Sequence, residues 1–319
     1  MLSINNIPAP AKVNVFIKTL SCRIDKYHNL KTLYQLINLE DKLNFELRFD
    51  GKINIKTNKL EIIKENNLIL NTAIMLKKIT NSNYGVNILL NKKIPIGSGL
   101  GGGSSNAAST LIVLNRLWKC GLSRDNLIDI GLSIGSDIPF FILGKNSFAE
   151  NSGEKLTELN LKVTKYLLIK PKCNFFTRNI FKNLYIEKKY LNKEESKFFI
   201  LSKIKYRKNI FVNIKSLFKY NDLESKKLYH YKKLKKIIYS IKKLINDLKY
   251  EHGNNYCSKL KISGSGSFLY INCKKHRNII FIKKKIENLI NFSSIKKQIF
   301  LEIKFYDTLH EHPLKNWIK

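Results

Sequence analysis

A cluster of glycines constrains the fold of this chain more than any other feature of its sequence. Five of its fifteen glycines lie between Gly97 and Gly103, in the stretch KKIPIGSGLGGGSSNAAS. Glycine loses more conformational freedom on folding than any other residue, so such a cluster needs a physical reason. An apolar run predicts a helix from Ser105 to Trp118, with Ser104, Ser105 and Asn106 as candidate caps. A glycine loop that leads directly into a helix N-terminus is typical of an anion site, because backbone N–H groups and the helix dipole both attract negative charge.

Two common phosphate-binding loops match this stretch poorly. A Walker A loop ends in GK[ST], whereas Gly103 is followed by Ser104. A Rossmann loop needs GxGxxG, which Gly97, Gly99 and Gly102 satisfy, and an acidic residue about 20 positions further on at the end of a strand. Asp125 has about that spacing, but it begins a predicted helix. A merely flexible loop is disfavoured by the strongly apolar helix that follows.

Four motifs in the right order resemble those of a known family. The stretch IPIGSGLGGGSSNAA resembles the signature P-x-x-x-G-L-G-S-S-x-A-A of the GHMP kinases, which include galactokinase, homoserine kinase and mevalonate kinase. Three further stretches resemble other motifs of this family: PAPAKVNVFIKTLSCRIDKYHNLKTLYQ (8–35), GLSIGSDIPFFILGKNSFAENSGEKL (131–156) and KISGSGSFLYI (261–271). The doubled glycines resemble one branch in particular, whose acceptor is 4-diphosphocytidyl-2-C-methyl-D-erythritol. The resemblance is dense over residues 8–156, returns at 171–182 and 261–271, and is thin elsewhere.

This resemblance implies a fold and a reaction. The fold is α+β, a two-domain GHMP kinase with a ribosomal protein S5 domain 2-like N-terminal domain over residues 1–158 and a ferredoxin-like C-terminal domain over 159–319. The reaction is ATP-dependent phosphorylation of the acceptor's 2-hydroxyl in the non-mevalonate isoprenoid pathway, giving the 2-phosphate and ADP, with Mg²⁺ as cofactor. Alternatives are a family kinase with a smaller alcohol acceptor and a basic nucleic-acid-binding protein that has lost the activity.

The matched motifs imply two catalytic residues. Phosphoryl transfer depends mainly on positioning and charge stabilisation, and the acceptor hydroxyl must lose a proton, which a carboxylate can take. Asp137 in GSDIP is the expected base, and Lys12 in PAK is its electrostatic partner. Without the resemblance, Asp137 before Pro139 reads as a turn or N-cap aspartate and Lys12 as a surface lysine.

The resemblance also divides the remaining site residues between two ligands. ATP is expected at Asn67, Lys92, Pro95, Gly97, Ser98, Gly99, Leu100, Gly101, Gly102, Gly103, Ser104, Ser105 and Asn106. The substrate is expected at Asn14, Tyr27, His28, Thr177, Phe181, Gly264, Ser265 and Gly266. An aromatic ring gives the cytosine a flat surface and an imidazole can bind the pyrimidine edge, which suits Tyr27 and His28; unaided, this pair reads as a core or boundary pair. Lys26 stands where the family has a glycine before Tyr27.

The strong positive charge has two readings. The formal net charge is +34, which suggests a nucleic-acid partner, but only seven of the 58 basic residues are arginine. Phosphate and base recognition favours arginine for its planar fork, whereas lysine, asparagine and isoleucine together are typical of an AT-rich coding sequence. We therefore expect no nucleic-acid partner. The resemblance implies instead a small-molecule substrate with a cytidine diphosphate moiety, and we expect a monomer or weak homodimer.

Location follows from what the sequence lacks. There is no apolar run long enough for a membrane span, the N-terminus does not resemble a secretory signal, and the five scattered cysteines form no CxxC pair. These observations predict a cytoplasmic protein with free thiols and no membrane partner. The amphipathic segment from Tyr231 to Tyr250 fits either a membrane surface or a packed core, and the packed core is favoured.

Periodicity predicts the main elements of secondary structure. Strands are predicted at Lys12–Leu20, Lys42–Phe49, Gly85–Asn91, Lys165–Pro171 and Ser267–Cys273, and helices at Asn67–Thr80, Ser105–Trp118, Arg124–Gly135 and Tyr231–Tyr250.

Overall fold

The computed structural model describes residues 2–22, 28–58, 67–171, 232–254, 256–264, 267–291 and 300–318. These residues form two sheets with helices packed against them. Apart from one parallel pair, the described strands of both sheets pair antiparallel, so the predicted α+β class is confirmed.

The first sheet is built on two long strands. Its strands are β1 (Ser3–Cys22), β2 (His28–Arg48), β3 (Ile53–Thr57), β4 (Gly85–Asn91), β5 (Ser147–Glu150) and β6 (Lys155–Glu158). They lie in the order β3-β4-β2-β5-β6, and β1 pairs with β2. The antiparallel β1–β2 register shifts at four places, and such irregularities bend a strand pair. The two strands can therefore contribute to the core and to the site at once.

Four helices complete the first core. They are α1 (Leu68–Thr80), α2 (Gly102–Leu117), α3 (Arg124–Ile134) and α4 (Ile138–Leu143). Helix α2 contacts the other three, and most of its residues are buried. The alanines at positions 107 and 108 allow this close packing because they carry little bulk.

The second sheet is antiparallel, in the order β10-β7-β9-β8. In chain order its elements are β7 (Lys165–Pro171), α5 (Lys232–His252), β8 (Lys261–Ile262), β9 (Leu269–Cys273), α6 (His276–Asn291) and β10 (Phe300–Asp307). Helix α5 buries Ile238, Ile241, Ile245 and Leu248 in a second hydrophobic core. The packed-core interpretation of this amphipathic segment is therefore confirmed. No helix in the described ranges is long and apolar enough to cross a bilayer.

A third apolar cluster joins the two sheets. Tyr166 of β7 and Tyr270 of β9 pack with residues of β1 and β2. The Tyr270 hydroxyl lies 2.9 Å from the carbonyl oxygens of Asn14 and Val15. The second sheet thus holds the part of β1 that carries Lys12 and Asn14.

The end of the chain returns to the first sheet. Leu314 and Ile318 are buried in the first core, and the Arg124 guanidinium donates to the carbonyl oxygens of Ile142, Lys315 and Ile318. The sequence did not indicate this return, since the predicted second domain runs to residue 319. The first sheet ends at Glu158 and the second begins at Lys165, but the boundary at 158/159 stays a prediction.

Two details of the predicted elements need correction. Helix α2 begins at Gly102 with Gly101 as its N-cap, so Ser104, Ser105 and Asn106 lie inside the helix and are not its caps. The segment after Asp137 is the short helix α4, where the sequence indicated only a turn. Proline at the second position of α4 suits the first turn of a helix, where its missing N–H has no partner to lose.

Candidate active site

Residues with positive φ alternate with others along the glycine loop, a pattern typical of anion-binding backbone. Gly97, Gly99 and Gly101 have φ values of 68°, 75° and 72°, and neither Ser98 nor Leu100 between them has a positive φ. Alternation of left- and right-handed residues turns successive N–H groups towards one side, which makes an anion-binding nest. The N-cap Gly101 has no side chain, so the free N–H groups at the start of α2 have no side-chain cap. The loop and the helix start therefore together offer the backbone groups that a phosphate chain would need.

Two of these glycines are required by close packing. A Cβ on Gly101 would lie 3.0 Å from Phe141 and 3.1 Å from the stem of Lys12. A Cβ on Gly102 would lie 2.8 Å from both Ile94 and the ammonium of Lys92. The absence of side chains lets the loop lie directly on the residues expected to carry the chemistry.

Lys12 and Asp137 meet beside this loop, although 125 positions separate them in the sequence. The Lys12 backbone N–H donates to the Leu100 carbonyl at 2.9 Å, which ties β1 to the loop. The Lys12 ammonium donates to Asn14 Oδ1 at 2.6 Å and lies 3.4 Å from Asp137 Oδ2. The structure thus brings the two expected catalytic side chains together, next to the proposed phosphate site.

Asp137 occupies the N-cap position of α4 but does not cap it. Its side chain makes no capping hydrogen bond. Instead, Asp137 Oδ1 accepts a hydrogen bond from the Tyr34 hydroxyl at 2.9 Å. The side chain of Asp137 is 29% exposed, so a ligand can reach it. The reading of Asp137 as a turn or N-cap aspartate does not account for these contacts.

Tyr34 completes the environment of the carboxylate. Its ring centroid lies 4.9 Å from the Lys12 ammonium and 4.9 Å from the Phe140 ring. Burial, and then the negative charge of Asp137, raise the pKa of the Tyr34 hydroxyl well above its ordinary value. This hydroxyl therefore acts as a hydrogen-bond donor at neutral pH.

The third glycine motif contacts the same site from the second sheet. Asn14 Nδ2 donates to Thr32 Oγ1 at 2.9 Å, which orients the asparagine. Gly264 has a φ of 49°, and a Cβ there would lie 2.6 Å from Asn14 Oδ1 and 3.3 Å from the Gly99 carbonyl. Only glycine fits at this contact between the two halves of the chain.

Lys92 and Asn67 have strong local partners. The Lys92 ammonium pairs with the fully buried Asp41, whose other oxygen accepts from the backbone N–H groups of Lys93 and Ile94 at 2.6 and 2.7 Å. Burial lowers the pKa of Lys92, and the Asp41 carboxylate opposes this. Asn67 caps α1 through a bond from the Ile69 N–H at 2.9 Å. Contacts of Lys92 and Asn67 with ATP stay predictions.

The remaining expected residues divide into placed and undescribed ones. Pro95, Ser98 and Leu100 lie in the loop, and Gly103, Ser104, Ser105 and Asn106 lie in the first turns of α2. His28 begins β2, but its side chain lies outside what the structure describes. Tyr27, Thr177, Phe181, Ser265 and Gly266 also lie outside the described residues. Their proposed contacts with substrate stay predictions.

Sequence reasoning missed Tyr34 and Asp41. Both lie on β2, and Tyr34 lies within the stretch 8–35 that carries the family resemblance. In the antiparallel pair β1–β2, Tyr34 lies opposite Asn14. A prediction that these two strands pair would therefore have indicated Tyr34 as a site residue. Asp41 has no comparable signal, because its partners follow some fifty residues later.

Comparison with known proteins agrees with this geometry. The model of the GHMP kinases N terminal domain matches residues 67–145. A 4-diphosphocytidyl-2-C-methyl-D-erythritol kinase of Bordetella parapertussis is 32% identical over 321 residues, which is 99% of each chain. Its counterpart in Acinetobacter baylyi is 44% identical over 176 residues, 55% of this chain and 63% of that enzyme.

A solved structure gives the same result for the fold. The crystal structure of a 4-(cytidine 5'-diphospho)-2C-methyl-D-erythritol kinase superposes with a TM-score of 0.69 at 23% identity, covering 96% of this chain and 98% of that one. The predicted two-domain GHMP kinase fold is confirmed. With its full-length relative and its matching N-terminal domain, the chain belongs to the family of 4-diphosphocytidyl-2-C-methyl-D-erythritol kinases within the GHMP kinases.

Proposed function

We propose that the protein transfers the γ-phosphoryl group of ATP to the 2-hydroxyl of 4-diphosphocytidyl-2-C-methyl-D-erythritol, giving the 2-phosphate and ADP. One observation carries the proposal: the paired Lys12 and Asp137 lie against a glycine nest that continues into an uncapped helix N-terminus. A phosphate site beside a carboxylate that is 29% exposed is what proton removal from an alcohol and phosphoryl transfer require together.

The proposed chemistry divides between the two parts of the site. The loop N–H groups and the start of α2 bind the phosphate chain of ATP. The oxygen of the substrate hydroxyl attacks the γ-phosphorus while Asp137 accepts the proton of that hydroxyl. ADP leaves on the opposite side of the phosphorus. The Lys12 ammonium stabilises the negative charge of Asp137 and of the transferred phosphoryl group.

Magnesium fits this site as a partner of the phosphates. Among the described residues there is no group of three or more histidine, cysteine or acidic side chains that could hold a metal ion. Ser105 Oγ, in the first turn of α2, and Glu154 Oε2, next to the Gly153 that lies against the Tyr34 hydroxyl, are buried oxygen atoms without a hydrogen-bond partner. Mg²⁺ takes oxygen ligands and commonly needs only one or two from the protein when phosphates supply others. Ser105 and Glu154 would help to hold the ion, which when bound neutralises charge on the transferred group.

The proposal extends to the cytidine group, the location and the assembly. Tyr27, His28, Thr177 and Phe181 are the residues we expect to contact the substrate, by their match to the family motifs. The loop, Lys12, Asn14, Asp137 and Gly264 all come from one chain, which supports a monomer or weak homodimer. Free cysteines at positions 120, 257 and 273 support a cytoplasmic enzyme.

A substrate comparison tests the proposal. ADP release with ATP and Mg²⁺ is measured for the diphosphocytidyl substrate, mevalonate and homoserine. Turnover with the first alone is the expected result, and comparable turnover with either of the others would refute the assignment. Asp137→Asn keeps the shape of the side chain and should lower kcat by about 10²-fold or more, because a neutral amide cannot take the proton. Normal turnover in this variant would exclude Asp137 as the base.

A further inference from the structure

Both carboxylate oxygens of Asp137, the expected base, have a side-chain partner. Of the two partners, Lys12 and Tyr34, the family motifs selected only Lys12. Asp137 Oδ2 lies 3.4 Å from the Lys12 ammonium, and Asp137 Oδ1 accepts from Tyr34 at 2.9 Å. Because α4 makes no use of this carboxylate as a cap, its own helix does not fix the orientation of the group. A carboxylate with a partner on one oxygen can still rotate about its Cβ–Cγ bond, whereas partners on both oxygens fix its orientation.

We propose that Tyr34 is a positioning residue for Asp137. Its hydroxyl holds Oδ1, so that the carboxylate meets the substrate hydroxyl in one orientation. Its ring forms one wall beside Lys12, at 4.9 Å from the ammonium. Tyr34 does not touch the reacting atoms and exchanges no proton with them. The inference rests on the proposed kinase reaction and adds to it a determinant of the orientation of the base.

The surroundings of Tyr34 keep the hydroxyl in place. Tyr34 is buried, and β2 pairs it with Asn14 on one side and Ser147 on the other. The backbone of Gly153 covers the hydroxyl so closely that a Cβ there would lie 2.8 Å from the oxygen. With strands on both sides and Gly153 above, the hydroxyl has little freedom to leave Asp137.

A single substitution separates positioning from packing. Tyr34→Phe keeps the ring, and with it the contacts to Lys12 and Phe140, and removes only the hydroxyl. We expect kcat to fall roughly 10-fold, the effect of losing one hydrogen bond to a charged group. The KM values for ATP and the substrate should stay within about twofold, because no group that binds either ligand is altered.

Tyr166 offers a matched control for this substitution. It is also a fully buried tyrosine, and its hydroxyl donates to Oε1 of Gln35, the neighbour of Tyr34, at 2.7 Å. Tyr166→Phe thus removes a buried tyrosine hydroxyl and its hydrogen bond to the next residue of β2 without touching Asp137. We expect an unchanged kcat. Equal losses in the two variants would mean that a general loss of stability, and not positioning, explains the result.

A double substitution at Gly153 gives an independent test. Gly153→Ala adds a methyl group against the Tyr34 hydroxyl and strains a backbone with a φ of 111°. The strain is the same in the Tyr34→Phe background, but the clash is gone. Gly153→Ala should therefore lower kcat by a larger factor in the wild-type background than in the Tyr34→Phe background, and equal factors would overturn the inference.

The outcomes distinguish this inference from the function itself. A wild-type protein without turnover of the diphosphocytidyl substrate would overturn the proposed function and the inference with it. An active wild-type protein with a Tyr34→Phe variant of equal kcat, or one changed only in KM, would overturn the inference alone.

Discussion

The buried ion pair below the phosphate loop gives a quantitative prediction. Asp41 is fully buried and holds the entry to the loop with both oxygens: Oδ2 pairs with the Lys92 ammonium, and Oδ1 accepts from the N–H groups of Lys93 and Ile94. Asp41→Asn retains an oxygen for the two N–H groups and removes the charge that Lys92 needs. The substitution therefore isolates the cost of leaving the ammonium buried without its partner.

Two independent limits give the size of this cost. Removing one member of a buried ion pair typically destabilises a protein by about 3–5 kcal/mol. The variant can avoid the buried charge by releasing the proton, which costs about 1.4 kcal/mol for each pH unit below the ordinary lysine pKa of 10.5. That upper limit is about 5 kcal/mol at pH 7 and about 2 kcal/mol at pH 9. The expected loss is therefore about 3–5 kcal/mol at pH 7 and no more than about 2 kcal/mol at pH 9.

The direction of the pH effect follows from proton binding. If Lys92 is neutral in the folded variant, the unfolded chain binds one more proton than the folded protein. Stability of the variant relative to the wild type must then rise with pH up to the ordinary pKa of lysine.

Urea unfolding followed by tryptophan fluorescence measures the free energy of unfolding of the first core and its sheet, in which Asp41 lies on β2. Both tryptophans of the chain, Trp118 and Trp317, pack in or against the first core. Glu40→Gln is a matched control on the same strand, since its partner Lys42 lies at 2.7 Å and both side chains are partly exposed, and it should cost no more than about 0.5 kcal/mol. A loss below about 1 kcal/mol for Asp41→Asn at pH 7, or a loss of about 3 kcal/mol or more that persists at pH 9, would refute the reasoning.

The double variant tests the pairing itself. Adding Lys92→Met to Asp41→Asn removes the unpaired ammonium and retains most of the stem volume. The double variant should be more stable than Asp41→Asn alone, because a buried pair replaced on both sides costs less than a broken one. Losses that simply add would show that Asp41 and Lys92 do not depend on each other.

Two further predictions concern the ligands. Gly101→Ala should raise the KM for ATP, because its Cβ would press on Phe141 and Lys12. Gly121→Ala is the control: its φ of 70° is similar but its surroundings are open, so it should cost about 1–2 kcal/mol of stability and leave the KM for ATP unchanged. Equal KM values in the two variants would contradict the steric argument. Replacing Tyr27 and His28 together should weaken binding of the diphosphocytidyl substrate in calorimetry and spare ATP, and an unchanged substrate affinity would reject their role.

Sequence patterns predicted the local elements of this fold well. The strands Gly85–Asn91 and Lys165–Pro171 and the helix after Asn67 agree with the structure, because short-range periodicity and caps determine them. The start of α2 was misjudged by three residues, since serines resemble caps, whereas the left-handed Gly101 takes the N-cap position here. Residue propensity gives only a preference for the N-cap position, whereas the packing of Gly101 on Lys12 and Phe141 decides where α2 begins.

The candidate site shows where such prediction ends. Motif resemblance selected Lys12, Asn14 and Asp137, and the structure brings them together, but it gave no information about what holds them. Tyr34 on β2 holds Asp137, and Asp41 on the same strand holds the residues that lead into the phosphate loop.

These two residues are seven positions apart, which in a regular strand would direct their side chains to opposite faces. Between them the register with β1 shifts, from Ala11 opposite Ile37 to Pro10 opposite Glu40, so β2 has extra residues at this point. The two extra residues preserve the alternation of faces but shift the pairing with β1 by two positions, and no alternation of apolar and polar letters reports this shift. The residues of β2 that reach the base and the phosphate loop therefore cannot be found by counting along a regular strand, which explains why the chemistry could be read from motifs while the residues that hold it could not.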